Sequence, residues 1–371
     1  MTLDPDFELA DVGTDGSIFM GRILCSDGYN YNRTNSVFTH IHSDHLGDFF
    51  NQALHRCQIY TTKETRDLLS ALKNESYDKK RQFHTVALND PKTLVKGEEL
   101  NYETMNVNTA KMIGDENYKE KLTLLPSNHM LGACSVKLLT PDNITIGYSG
   151  DFSSEDEPPK CDILIIDSTH GAPHFNIKNL DVPSLERRLL DYVEEHVSNG
   201  RPVVIHANRG KLQEIMDIIS TSKEIAKSTR FFCGEEDLRI ARVYSKYGFE
   251  IRELQKSTTD DASDYRNGEN TFVEFISGFN ERRYEISGKA FSIKVRSYSG
   301  NQDIKETDDE VTFEMSDHAQ FDDIIEYVRK SGAKKIVVEG SGKRSRLGVK
   351  LTSYLKDKGF DAFCRPTPQF T

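Results

Sequence analysis

His40-Ile41-His42-Ser43-Asp44-His45 sets three imidazoles and a carboxylate within a short stretch of chain. It follows Ser36-Val37-Phe38-Thr39, a run with the composition of a short strand. In an extended segment alternate side chains share a face, so His40 and His42 point the same way. Both can reach one metal ion, while the turn that follows can direct Asp44 and His45 to a second. Neutral imidazole and carboxylate are the donors that suit Zn²⁺. The stretch therefore predicts a dinuclear zinc site and a metal-dependent hydrolase. A merely histidine-rich polar loop is the bland alternative, and it asks nothing of the rest of the chain.

Two ions need more donors than this stretch supplies. His129, in Ser127-Asn128-His129-Met130-Leu131-Gly132-Ala133, comes just after the strand-like Leu122–Leu125. Asp151, in Tyr148-Ser149-Gly150-Asp151-Phe152, ends the run that starts at Ile144. Either alone carries little. Their order after the first cluster, each at the end of an expected strand, gives them weight.

The remaining sequence sets the frame. A chain of 371 residues has room for one large domain or two medium ones. No window approaches the roughly twenty apolar residues of a membrane span. The acidic start, Met1-Thr2-Leu3-Asp4-Pro5-Asp6, lacks the basic and apolar regions of a signal peptide, so a cytoplasmic protein without membrane partners is expected. The six cysteines are scattered and form no CxxC pair, which argues for buried thiols and against a disulfide framework. A net charge of −11 argues against indiscriminate nucleic-acid binding. A local basic rim can still coexist with an acidic body; Lys334, Lys335, Lys343, Arg344, Arg346 and Lys350 form such a rim or are ordinary solvated charge.

Strands are expected at 17–20, 22–25, 36–39, 121–125, 135–139, 143–148 and 162–166, the last continuously apolar after its first residue, as if covered on both faces. A helix start is read at Leu46–Phe50, and a helix capped by Thr62 follows. From about 175 the pattern becomes α/β: helix from Val182 to Val197, strand Pro202–Ile205, then a helix through Ile219. Lys256–Asn270 reads as a polar surface loop. Strand Val311–Met315, helix Phe321–Lys330, strand Lys335–Val338 and helix Leu347–Lys358 close the chain.

In this order the motifs resemble those of the metallo-β-lactamase superfamily, and the later ones resemble its β-CASP nucleases. Asp27, in Cys25-Ser26-Asp27-Gly28, matches the acidic first motif, which orients ligands from behind. Asp167-Ser168-Thr169-His170-Gly171 resembles the first β-CASP signature. The stretch from Pro202 to Glu214, with Arg209, resembles the strand and arginine helix of the cap. Met315-Ser316-Asp317-His318-Ala319-Gln320-Phe321 resembles the second signature. The resemblance covers nearly the whole chain and is nearest to the short archaeal branch of mRNA 3′-end processing factors and exonuclease-like proteins.

The resemblance implies an α/β fold: a metallo-β-lactamase αββα sandwich from residues 1–172 and 306–371, with a β-CASP cap inserted at 173–305. It implies two Zn²⁺ ions, with His40, His42 and His129 on one, Asp44 and His45 on the other, and Asp151 bridging. Asp27 would stand behind them, and a metal-bridging hydroxide would be the nucleophile. The substrate would be RNA, or in second place single-stranded DNA, bound between core and cap. Asp44, Asp167 and His318 are the expected catalytic residues. His318 would touch the phosphate or donate a proton, and Arg209 at a helix start would hold phosphate. A homodimer is compatible with the resemblance.

One position departs from the pattern. Where the family usually has a metal-ligating histidine after a late strand, this chain has Glu339 in Val338-Glu339-Gly340-Ser341-Gly342. A carboxylate there either binds the second ion, favouring a harder one such as Mn²⁺, or points elsewhere and leaves that ion more weakly held. Two other readings of the core remain: a small-molecule hydrolase of the lactonase or β-lactamase type, and an inactive subunit of an RNA-processing complex.

Overall fold

Ile163-Leu164-Ile165-Ile166 forms the axis of the larger of two units in the computed structural model. The structure describes residues 8–28, 30, 32–46, 57–72, 101–177, 181–223, 225, 229–268, 270–278, 290–298 and 304–367. They divide into Met1–Asn176 with His318–Thr371, and Ile177–Asp317.

In the first unit, β1 (Ala10–Val12), β2 (Ile18–Met20), β3 (Leu24–Ser26), β4 (Asn35–Val37), β5 (Gln58–Thr61) and β6 (Asn101–Thr104) hydrogen-bond in chain order. Helix α1 (Lys63–Ala71) follows β5 and starts on Thr62, whose side chain accepts from the Thr65 amide, as expected. A second sheet comprises β7 (Ala110–Gly114), β8 (Lys119–Pro126), β9 (Cys134–Leu139), β10 (Thr145–Tyr148), β11 (Ile163–Ile166), β19 (Lys335–Glu339) and β20 (Asp361–Arg365). Its order is β20-β19-β11-β10-β9-β8-β7, and β10, β11, β19 and β20 run parallel.

Alternation explains how this sheet is buried twice. Ile165 and Val337 join Val12, Met20, Val37, Leu122 and Tyr148 in a core shared by the two sheets. Their neighbours Leu164, Ile166, Ile336 and Val338 point the other way, into a second core with residues of α6 (Phe321–Ser331) and α7 (Ser345–Asp357). A period of two therefore makes a continuous apolar run the right sequence for β11, since both faces are covered. Helix α6 buries Phe321, Ile324, Ile325 and Val328, the stripe of an amphipathic helix, and stops at Gly332 in the left-handed conformation.

The second unit contains helix α2 (Val182–Ser198), β12 (Val203–Ala207), α3 (Lys211–Thr221), β13 (Arg230–Cys233), α4 (Glu235–Lys246), β14 (Leu254–Lys256), α5 (Asp260–Asn267), β15 (Phe272–Ser277), β16 (Phe291–Arg296), β17 (Ile304–Glu306) and β18 (Glu310–Glu314). The strand order is β14-β13-β15-β12-β16-β18-β17, parallel except for the edge pair β17–β18. Leu185, Leu189 and Val193 of α2 and Ile215, Met216 and Ile219 of α3 pack on Ile205, Phe275 and Ile293. The insertion was expected at 173–305, whereas this unit runs to Asp317 because β18 pairs with β16.

The expected loop at Lys256–Asn270 is corrected. It holds α5, which starts on the Thr259 side chain and carries Asp260 and Asp261 in its first turn, where a helix favours acids. Only Ala262 of this helix is buried, so no apolar stripe announces it. The helix start read at Leu46–Phe50 lies outside the described residues from Gly47 onward. All six cysteines are free, five of them buried. Among the described residues no helix is long and apolar enough to cross a membrane.

Candidate metal centre

The site collects at the ends of strands in the first unit. After β4, the Thr39 amide leaves the ladder and donates to Asp27 Oδ1 at 2.8 Å, and a turn closed by His45 N–H on His42 O follows at 3.0 Å. Asp27 has φ 48°, a left-handed conformation uncommon outside glycine, which an Asx side chain tolerates. Its carboxylate also accepts from Thr39 Oγ1 at 2.6 Å, His45 Nδ1 at 2.8 Å and Tyr148 Oη at 3.1 Å. Because Thr39 spends its proton on Asp27, it accepts from His40 Nδ1 at 3.0 Å. One carboxylate thereby sets the orientation of both rings and leaves each Nε2 facing the site.

Three imidazoles and one carboxylate converge there. His42 Nδ1 lies 3.1 Å from His40 Nε2 and 3.0 Å from His129 Nε2. Asp151 Oδ2 lies 3.5 Å from both His40 Nε2 and His129 Nε2. Donors on a tetrahedral ion with bonds of about 2.1 Å are separated by roughly 3.4 Å, so this set fits one ion of that geometry. Burial pushes His40 down to about 4, with the neighbouring charge of His45 adding to it. Burial lowers His129 as well, followed by the charge of His318. Both rings are therefore neutral near pH 7, as a ligand must be.

Asp151 is buried, which alone would raise its pKa, but His45, His318 and Arg344 hold it well below the usual carboxylate range. His318 sits beside the donor set, its Nε2 3.8 Å from Asp151 Oδ2 and its Nδ1 3.6 Å from Asp167 Oδ2. Burial opposes its protonation, yet Asp151 and Asp167 raise its pKa above the ordinary value. Behind it, the buried His170 bonds Ala319 O through Nδ1 at 2.9 Å.

The donors expected for a second ion have another partner. Arg344 Nη2 lies 3.0 Å from Asp44 Oδ2, 3.4 Å from His45 Nε2 and 3.4 Å from Asp151 Oδ1. Its Nη1 donates to Glu339 Oε1 at 2.9 Å, and its Nε lies 3.2 Å from Asp167 Oδ1. Glu339 thus faces a guanidinium. Its pKa is raised by burial, against the pull of Arg344. These contacts do not fit a second ion.

Arg209, expected to hold phosphate, lies in the second unit. It precedes Gly210, the residue that starts α3, and pairs with Glu236.

No family model matches the chain. An "uncharacterized protein in lig 3′region" from Acidianus ambivalens is 31% identical over 132 residues, 35% of this chain and 90% of that one. A transcription termination factor, FttA of Thermococcus kodakarensis, is 28% identical over 197 residues, 49% of this chain and 30% of its own length. An RNase J-like protein of Methanocaldococcus jannaschii is 26% identical over 198 residues, 50% of this chain and 42% of that protein. The chain therefore spans less than half the length of these two named relatives.

These likenesses support the β-CASP family for this chain. Two further residues position the turn that carries His129. Asp156 accepts from Ser127 Oγ at 2.9 Å, from the Asn128 amide and side chain at 2.8 Å, and from the Ser153 amide at 2.9 Å. It therefore pins the turn that carries His129. Gly132, with φ 80°, closes the same turn; a Cβ there would stand 2.6 Å from the Thr65 amide nitrogen at the start of α1. In sequence Asp156 sits in Ser153-Ser154-Glu155-Asp156-Glu157, which reads as solvated charge.

A pH effect follows at His170, which is pushed down to about 4, by burial first and then by the charge of His318. In an unfolded chain histidine titrates near 6.5. Between these values only the unfolded chain binds the proton, so stability falls as pH drops from about 6.5 toward 4 and is untouched above 7. His170→Asn is expected to flatten that part of the stability–pH curve by roughly 1–3 kcal/mol in urea unfolding. An unchanged slope would refute the assignment.

Proposed function

We propose that this chain is a zinc-dependent phosphodiesterase that cleaves RNA, with a metallo-β-lactamase αββα core and a β-CASP cap formed by the unit at 177–317. The observation that carries the reading is the position of His318 and Asp167 directly beside the donor set of His40, His42, His129 and Asp151. Hydrolysis of a phosphodiester needs a polarised phosphoryl group, an activated water and an acid for the leaving alkoxide. A Zn²⁺ ion held by His40, His42, His129 and Asp151 would supply Lewis acidity and lower the pKa of water.

The side chains do the rest. Asp27 and Thr39 orient the imidazoles, so the ligands are in place before an ion or substrate arrives. His318 is kept protonated by the facing carboxylates Asp151 and Asp167, and its proton is available to the leaving oxygen. Arg344 offers N–H groups and positive charge to phosphoryl oxygens, which a guanidinium recognises in a planar, forked geometry. The names of the relatives, an RNase J-like protein and transcription termination factors, support RNA as the substrate.

Product mapping on end-labelled single-stranded RNA and DNA, with Zn²⁺ and Mn²⁺ compared, tests this. RNA cleavage that requires metal and falls about 100-fold or more in His318→Ala is the expected result. Absence of cleavage of either nucleic acid at micromolar protein would end the nuclease reading. A higher catalytic efficiency on an acyl-homoserine lactone than on RNA would move the site to acyl chemistry.

A further inference from the structure

We propose that the Arg344 guanidinium takes the place of the second metal ion, making this a one-metal centre with a built-in organic cation. The inference rests on the metal-centre reading above. Its basis is a set of distances. The three donors that the family pattern reserves for the second ion are Asp44, His45 and the bridging Asp151, and all three lie 3.0–3.4 Å from one atom, Arg344 Nη2. A divalent ion bonded to those three donors at about 2.1 Å would compete with Nη2 for the same carboxylate oxygens and imidazole nitrogen.

The fourth position supports the same exchange. Glu339, which stands where a neutral imidazole would complete a second metal site, is bound by Arg344 Nη1 at 2.9 Å and by Ser341 Oγ at 3.0 Å. A neutral histidine there would give the guanidinium no counter-charge; a carboxylate gives it one. The carboxylate at 339 and the inward turn of Arg344 are therefore one change: Glu339 recruits Arg344, and Arg344 fills the gap. The Nε edge is fixed as well, 3.1 Å from Thr169 Oγ1 and 3.2 Å from Asp167 Oδ1. Arg344 is only 15% exposed, so its charge acts inside the site and not on the protein rim.

Charge points the same way. Arg344 is faced by Asp44, Asp151, Asp167 and Glu339. One divalent ion with the guanidinium nearly neutralises those carboxylates. A second divalent ion beside the guanidinium would leave like charges within a few ångströms in a buried site. The guanidinium also stays charged when metal is removed, and it can donate to a phosphoryl oxygen, as the missing ion would have coordinated one.

Metal stoichiometry decides the matter, and it is read without reference to cleavage. The full chain is stripped with chelator, dialysed against Zn²⁺ and measured by elemental analysis; Co²⁺ is then titrated and followed by its visible absorption. The expected result is saturation at one ion per chain with both metals. In the double variant E339H/R344A a second ion is expected, bound at least about 100-fold more tightly than any second ion in the unaltered protein. Two tightly bound ions in the unaltered protein would overturn the inference while leaving the metal centre standing. Failure to bind any ion would overturn both. The Co²⁺ titration of the unaltered protein needs no variant, so it decides the question even where the double variant does not fold.

Discussion

His42→Ala is expected to lose tightly bound metal and RNA cleavage together, with at least about a 100-fold fall in metal affinity and a 1,000-fold fall in activity. His42 Nδ1 is the hub of the donor set, within 3.1 Å of both His40 Nε2 and His129 Nε2. Alanine leaves a two-nitrogen, one-carboxylate site, and the two remaining rings are fully buried, His40 being held by Thr39 as well, so they have no room to swing and compensate. His42 is only partly buried, so the substitution opens no enclosed core cavity and the fold should persist. Elemental analysis after exhaustive dialysis checks the first part, and initial rates on labelled RNA check the second. Retention of one ion at unaltered affinity would show that His42 is not a ligand.

Asp27→Ala should cost the fold itself about 3–5 kcal/mol in urea unfolding of the metal-free protein. The buried carboxylate accepts from the Thr39 amide and hydroxyl, from His45 Nδ1 and from Tyr148 Oη. Truncation strands all four donors away from water, and each one left unsatisfied is expensive. Alanine is also strained at the φ of 48° that Asp27 adopts. Asp27→Asn should be milder for stability but not for the metal. Its amide can place N–H against the donors of Thr39 or His45, so those rings lose their enforced orientation and metal affinity falls by roughly 10–100-fold. A loss below about 1 kcal/mol for the alanine variant would mean that the four hydrogen bonds do not work as a unit.

Most of the site was legible because its residues follow strands of recognisable pattern. Asp151 and Asp167 come just past β10 and β11, and β11 is an apolar run of the kind a strand covered on both faces requires. Once His40–His45 predicts metal, local reading leads to His129 and Asp151, the β-CASP resemblance adds Asp167 and His318, and the structure brings all of them together. Arg344 was not legible in this way. It sits in the 3₁₀ turn Gly342–Arg344 among exposed basic residues, and nothing local separates the one that turns inward. Its contact with Asp44 spans 300 positions in the chain. Glu339 gave a signal, a carboxylate where an imidazole was expected, but its meaning depended on the partner it found. Helix α5 was missed for a related reason: a helix with one buried residue leaves no periodicity to read.

The parallel alignment of β10, β11 and β19 has a consequence for how such a centre can change. Asp151, Asp167 and Glu339 stand at or just beyond the ends of these three adjoining strands. Adjacent strands lie about 4.8 Å apart whatever side chains they bear. The spacing of the acids is thus a property of the backbone and is insensitive to ordinary substitution. Arg344 instead comes from a short turn beyond β19 that no ladder constrains. The centre is accordingly a fixed comb facing an editable strip. Its electrostatics can be rewritten at Glu339 and Arg344, with the backbone spacing of the comb left intact.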